Sequence, residues 1–241
     1  MNNVVLNDLF DYPKLKIYQI RGNFKFSLDS ILLAEYVKIT KNTKKILDLC
    51  TGNAPIPIIL STKTNAKIDA FEIQEHISNL ANKSVKYNKL EDQITLYNVD
   101  AKEIDSFIGN KKYDIITCNP PYFKVDNSKF INECDELAIA RHEIKLNLEN
   151  VFKIASSHLD DKGEFYLVHR VSRLDEIIIY GNKYNLNVKN IQMIQTKQNN
   201  KPYIVLVRSV KNSKPGVKVS NIINIENMKT YQNMFEEDLW N

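Results

Sequence analysis

The run YDIITCNPPYF, residues 113–123, ends an apolar stretch on Asn119 and two successive prolines. Proline fixes φ and carries no N–H, so Asn119-Pro120-Pro121-Tyr122 makes a stiff corner whose Pro120 carbonyl has no donor of its own beside it. The Asn119 side-chain oxygen and that carbonyl are two acceptors, and Tyr122 with Phe123 adds an aromatic face for a flat group. Such a corner suits a planar amine; alone, it does not separate a nucleobase from a side-chain amide. Three carboxylates lie upstream at the ends of apolar runs. Asp48 belongs to Asp48-Leu49-Cys50-Thr51-Gly52-Asn53, where Gly52 permits a tight turn into a helix whose first N–H groups are unpaired. An acid there repels phosphate, and neither GxGxxG nor GKS/T is present, so the dinucleotide and P-loop readings fail. A carboxylate in that loop can instead orient an ammonium group. Glu72, after IDAF, can take two hydrogen bonds from a ribose diol, and Asp100, after ITLYNV, can accept the amino group of an adenine. Each acid alone is explained as well by a helix cap or a solvated strand end. One after each successive strand is harder to explain that way.

The elements that must position these groups alternate. ILDLC (46–50), IDAFEI (68–73), ITLYNV (94–99) and YDIIT (113–117) read as buried strands separated by helix-compatible segments. LENVFKIASSHL then reads as a helix, GEFYLVH as a strand and SRLDEIIIYGNKY as a helix, before VKNIQMIQ and YIVLVRSV, two strands joined by the polar loop TKQNNKP. The expected fold is α/β: a Rossmann-like, doubly wound, seven-stranded, mostly parallel sheet with its last strand antiparallel, binding ligands at the carboxyl ends of its strands. Ahead of it, LKIYQIRGNFKF (15–26) reads as two extended pieces around Arg21-Gly22-Asn23, and LDSILLAEYVKI as a helix capped by Ser27 or Asp29. We expect one domain over 1–241, divided into an N-terminal hairpin and helix (1–40), a catalytic core (41–210) and a tail (211–241). The polar stretch 123–145 is long for a connection, and such loops are commonly functional.

Composition narrows the class. With 43% hydrophobic and 26% charged residues the chain is neither disordered nor a disulfide scaffold. Its three cysteines, Cys50, Cys118 and Cys134, form no CxxC pair and have no matching histidine cluster, so no structural zinc is expected. No apolar run approaches the roughly 20 residues of a spanning helix, and the N-terminus lacks a signal-peptide pattern, so a soluble, cytoplasmic protein is expected. A net charge of +4 suits a polyanionic partner without establishing one.

Taken together, DLCTGN at 48–53, Glu72, Asp100 and NPPY at 119–122 resemble the class I S-adenosylmethionine-dependent methyltransferases that act on planar amino or amide nitrogens. More narrowly, FSLDSILLAEY, DLCTGNAPIPIILS, EIQE, TCNPPYF and LAIARHEI resemble the bacterial tRNA1(Val) adenine-37 N6-methyltransferases, over residues 5 to 220 or so. One departure stands out: where relatives commonly carry glycine after GN, this chain has Ala54, followed by Pro55 and Pro57. Those prolines fit only within the first helical turn.

The resemblance implies S-adenosylmethionine as cofactor, S-adenosylhomocysteine as product and tRNA as partner, with no metal, no membrane and a monomeric chain. It implies cofactor contacts from Asp48, Cys50, Gly52, Asn53, Glu72, Ile73, Asp100, Ala101 and Asn119, with Ser27 and Asp29 reaching the cofactor if the N-terminal helix folds over the pocket. Asn119 and the Pro120 carbonyl would each accept one hydrogen of the adenine N6 amino group while Tyr122 stacks on the base. Pro121, Phe123, Arg141, His142 and Lys145 would contact the substrate, together with Lys124 and Lys129; the KNTKK connector and Lys211, Lys214 and Lys218 are less specific basic clusters. Two alternatives stay open: a glutamine N5-methyltransferase acting on protein, which presents the same planar NH₂, and a non-catalytic RNA-binding module of this fold.

Overall fold

The computed structural model describes residues 4–9, 12–20, 28–121, 146–196 and 201–227. An antiparallel hairpin, β1 (Val4–Leu9) and β2 (Tyr12–Ile20), precedes α1 (Leu28–Tyr36). Strand and helix then alternate: β3 (Lys45–Leu49), α2 (Pro55–Ser61), β4 (Lys67–Phe71), α3 (Glu75–Tyr87), β5 (Ile94–Tyr97), α4 (Ile104–Ile108) and β6 (Tyr113–Cys118). The second half supplies α5 (Leu148–His158), β7 (Leu159–Arg170), α6 (Leu174–Lys183), β8 (Leu186–Gln195), β9 (Ile204–Lys211) and two short strands, β10 (Lys218–Val219) and β11 (Ile223–Asn224).

The sheet runs β8-β9-β7-β6-β3-β4-β5, with β10 and β11 both on the outer edge of β8. β5, β4, β3, β6 and β7 run parallel to one another, whereas β9 is antiparallel to both β7 and β8. The antiparallel last long strand is therefore as expected from the hairpin-like ending. The sheet is larger than the seven strands expected, because β10 and β11, two residues each, are too short to leave a periodic signal.

Both faces are covered, which is why the central strands are apolar throughout rather than alternating. One face carries α1, α2, α3 and the N-terminal hairpin, with Ile17, Ile31, Leu33, Ile58 and Ile68 in its core. The other carries α4, α5 and α6 over Leu47, Ile116, Phe152, Phe165 and Ile177. α3 reaches the sheet side through Leu80, Ala81, Ser84 and Val85, the spacing of a helical stripe.

The hairpin departs from the sequence expectation. β2 covers the first of the two anticipated extended pieces, but its partner is β1, upstream, and the anticipated turn and second piece, residues 21–26, lie outside the described residues. β1 was illegible because Asn7 and Asp8 interrupt its apolar alternation. It is held in place mainly through β2, whose Lys16 N–H donates to Asn88 Oδ1 (3.0 Å) while Asn88 Nδ2 donates to the Lys16 carbonyl (2.7 Å). The Tyr18 N–H donates to Ser84 Oγ (2.9 Å), so α3 side chains satisfy an otherwise open strand edge.

Candidate active site

The register sets the site. Asp48 on β3 lies opposite Thr117 on β6 and Ala70 on β4, so the loops after β3, β4 and β6 emerge side by side at the carboxyl edge. The loop after β3 is the most contorted backbone in the region. Cys50 (φ 58°), Gly52 (φ 59°) and Ala54 (φ 70°) all occupy the left-handed region. For Gly52 this is free of strain; a residue with Cβ costs about 1 kcal/mol or more there. Ala54 thus stands, fully buried, at a position whose backbone favours glycine. Pro55 follows at the first position of α2, so Pro55 and Pro57 do fall in the first turn, where missing N–H groups leave no gap in the helix.

Two carboxylates organise this loop. Glu72, just past β4, accepts the Gly52 N–H (2.9 Å) and the Gln74 N–H (2.8 Å), one on each oxygen. Burial pushes its pKa up from the usual carboxylate range, against the pull of those hydrogen bonds. Asp48 is 0% exposed and takes a hydrogen bond on Oδ1 from Thr117 Oγ1 (2.5 Å), while Oδ2 is buried without a partner. Burial, reinforced by the charge of Glu72, pushes its pKa up to about 7, and the Thr117 hydrogen bond opposes the shift. The neighbouring Thr51 hydroxyl also pulls it down, yet Thr51 Oγ1 and Asp48 Oδ2 both lack a partner in hydrogen-bond geometry.

Asp100 caps the 3₁₀ turn Ala101–Glu103 through Oδ1, which accepts the Lys102 N–H at 3.0 Å. The cap and the ligand roles weighed for it are compatible, since the cap uses one oxygen. Asn53 does something the sequence did not suggest: its Nδ2 donates to the Tyr18 carbonyl of β2 (3.0 Å), tying the hairpin to the glycine loop. Ile73 sits half-buried between Glu72 and Gln74, and Ala101 is buried beside Asp100. Cys50 and the buried Cys118 are free thiols in mutual contact, and burial raises the Cys118 thiol well above its ordinary range.

The corner follows β6 directly. Asn119 is half-buried, Pro120 buried and Pro121 half-buried. Asn119 Nδ2 donates to Ser30 Oγ (2.9 Å), which brings α1 against the corner one residue after Asp29. Neither Ser30 nor Thr117 was singled out by the sequence; Thr117 stands two residues before Asn119 and opposite Asp48, a spacing that could have flagged it. Ser27, Tyr122, Phe123, Lys124, Lys129, Arg141, His142 and Lys145 lie outside the described residues.

Two of the basic clusters are not at this edge. The KNTKK connector leads into the amino end of β3, and Lys211 pairs with Leu186 at the amino end of β8, both at the opposite edge of the sheet. Near the carboxyl edge the structure offers instead Arg170, at the end of β7, whose guanidinium lies over the Tyr203 ring at 5.9 Å. Among the described residues no group of three or more His, Cys, Asp and Glu could hold a metal ion.

The chain is similar to several known proteins. A tRNA1(Val) (adenine(37)-N6)-methyltransferase of Cytophaga hutchinsonii is 27% identical over 77% of this chain and 76% of its own length. One of Trichodesmium erythraeum is 30% identical over 68% of each. A predicted O-methyltransferase of Agrobacterium tumefaciens, 17% identical, shares the fold with a TM-score of 0.65 over 82% of this chain and 88% of that one. Residues 24–201 match the methyltransferase small domain, a span that takes in the acidic strand ends, the glycine loop and the Asn119 corner together, and the chain belongs to that family.

Proposed function

We propose that this chain transfers a methyl group from S-adenosylmethionine to N6 of an adenosine in tRNA, adenosine 37 of tRNA1(Val), in the cytoplasm. The observation that carries the reading is the Asn119 amide. It sits at the end of β6 beside the buried Pro120, anchored by its nitrogen, two residues from the threonine that binds Asp48. The relatives named above bear that activity in their names, which supports the choice of amine.

The residues present fit the cofactor. The buried, partnerless Asp48 Oδ2 suits an ammonium group, which would offset the cost of burying the ionised carboxylate with one oxygen unpaired. The acceptor-only carboxylate of Glu72 suits a ribose diol, and the second oxygen of Asp100 suits an adenine amino group. The bound cofactor supplies a methyl group on positively charged sulfur, an electrophile that needs no enzymic nucleophile.

What the chain contributes is positioning. The exocyclic nitrogen of adenine is a poor nucleophile because its lone pair is delocalised into the ring. Asn119 Oδ1 and the Pro120 carbonyl each accept one of its hydrogens, which favours a pyramidal nitrogen with the lone pair localised. The prolines stiffen the corner, so little freedom is lost when the amine is gripped. Extruding an unpaired anticodon-loop base costs only a few kcal/mol. The departing proton passes to water.

The test separates chemistry from binding. Asn119→Ala is expected to lower kcat about 100-fold or more, the size of effect seen when one transition-state hydrogen-bonding group is removed, while cofactor affinity measured by calorimetry stays within about threefold. An equal loss in both would count against the role given to Asn119.

A further inference from the structure

We infer that Asn53 is a positioning residue for cofactor binding: its amide fastens the glycine loop to strand β2 of the N-terminal hairpin, and it acts on S-adenosylmethionine through that loop. The inference rests on the function proposed above and gives the hairpin a part in the cofactor site. Sequence resemblance alone would make Asn53 a direct cofactor contact. The structure gives its amide another occupation. Asn53 Nδ2 donates to the Tyr18 carbonyl at 3.0 Å, across 35 residues of sequence. A backbone carbonyl can only accept, so it is the NH₂ end of the amide that meets β2. The residue is 9% exposed, and the bond is largely sheltered from competing water.

The loop needs such a tie. Gly52 and Ala54, on either side of Asn53, both lie in the left-handed region, and for Ala54 that conformation costs energy that the surroundings must offset. On the sheet side the loop is held by the Thr51 N–H on the Phe71 carbonyl (2.9 Å) and the Gly52 N–H on Glu72 Oε2 (2.9 Å). Asn53 holds it on the hairpin side. The anchor at the far end is itself fixed: the Tyr18 N–H donates to Ser84 Oγ of α3 (2.9 Å), Asn88 grips both polar groups of the Lys16 backbone, and Ile17 between them is 0% exposed. A chain of bonds thus runs from α3 through β2 and Asn53 to the loop, and from Gly52 to the carboxylate proposed to take the ribose. Cutting it in the middle frees the loop before the cofactor arrives, and binding must then order it again. An aspartate in place of Asn53 has the same shape but sets a carboxylate against the Tyr18 carbonyl, acceptor against acceptor.

The experiment is a double-mutant cycle on the full chain, read by titration calorimetry with S-adenosylmethionine. Asn53→Ala is expected to raise the dissociation constant about fivefold, the size of one net hydrogen bond, and to raise KM for the cofactor in larger proportion than kcat falls. Asn53→Asp should bind more weakly still. Ser84→Ala, on α3, loosens β2 without touching the loop and should weaken binding about twofold to threefold; in the Asn53→Ala background it should cost nothing further, because the link through which it acts is gone. Asn88→Ala, which releases Lys16, does the same if Ser84→Ala fails to fold. Two results would overturn the inference. One is an unchanged dissociation constant in Asn53→Ala. The other is a remote variant that leaves affinity untouched, or that costs the same with and without Asn53, the pattern of a direct cofactor contact. A wild-type chain with no affinity for S-adenosylmethionine removes the underlying reading instead, so the wild-type titration tells the two failures apart.

Discussion

Two buried aspartates stand on neighbouring strands and are treated in opposite ways. Asp69, in β4, is 4% exposed and is saturated by its own chain: the Tyr113 hydroxyl donates to it at 2.6 Å, Lys111 forms an ion pair with it and the Tyr97 hydroxyl lies at 3.5 Å. Asp48, in β3, is 0% exposed and receives one hydrogen bond from Thr117, with its second oxygen bare. A carboxylate that serves the fold is surrounded by donors; the half-satisfied Asp48 fits the ammonium-binding role proposed for it. Their positions agree with this. Asp69 lies in the middle of its strand, two residues short of Phe71, whereas Asp48 lies one residue from the end of its strand, next to the glycine loop.

Substitutions at the two positions are expected to separate cleanly. The largest effect is at Asp48: Asp48→Asn should weaken S-adenosylmethionine binding about 100-fold, since a charge-assisted partner is lost, while thermal stability above neutral pH stays level or rises because a buried charge is gone. Asp69→Ala should do the reverse. It strands the buried Tyr113 hydroxyl and the Lys111 ammonium, for a loss of about 2 kcal/mol and a Tm lower by roughly 6 °C, with cofactor affinity unchanged by calorimetry. If both variants lost affinity and stability in the same proportion, the contrast would be empty.

Proton linkage sharpens the same comparison. The pKa of folded Asp48, about 7, is above its ordinary 3.8, so a bound proton favours the fold. That contribution is fully present below pH 3.8, declines as pH rises and is gone above about 7. Holding an ammonium requires the ionised form, so cofactor affinity should rise as pH goes from about 6 to about 8, by up to tenfold per unit on the acid side of the midpoint. Asp48→Asn should flatten this dependence, and titration calorimetry at several pH values checks it. The smallest expected effect is at Ala54, whose φ of 70° favours glycine. Ala54→Gly should raise Tm by about 2 °C, a net gain of less than 1 kcal/mol once glycine's greater unfolded freedom is counted, with kcat unaltered.

How far the sequence reached follows from the range of the interactions involved. The order of β3, β4, β5 and β6 and the acids at their ends were legible because strand position and strand-end chemistry are local in sequence. The antiparallel β9 was legible because a short polar link joins it to β8. β1 was not, since Asn7 and Asp8 break its apolar alternation. Ser30 and Thr117 were missed for a different reason: each acts through a single side-chain bond across 89 and 69 residues, and a lone serine in a helix or threonine in a strand carries no periodic mark. Asn53 reads as a cofactor residue beside Gly52, and only the three-dimensional packing reveals that its amide is engaged by the hairpin. The KNTKK connector and Lys211 lie at the amino edge of the sheet, which charge in sequence does not reveal.

The central claim is that the Asn119 corner grips the amino group of an adenine in tRNA. Its most direct test is to incubate the chain with methyl-labelled S-adenosylmethionine and unmodified tRNA1(Val), digest the product and identify the labelled nucleoside and its position. The account predicts N6-methyladenosine at position 37, absent with Asn119→Ala. Label recovered as a methylated guanine, or only in a glutamine of added protein, would contradict it.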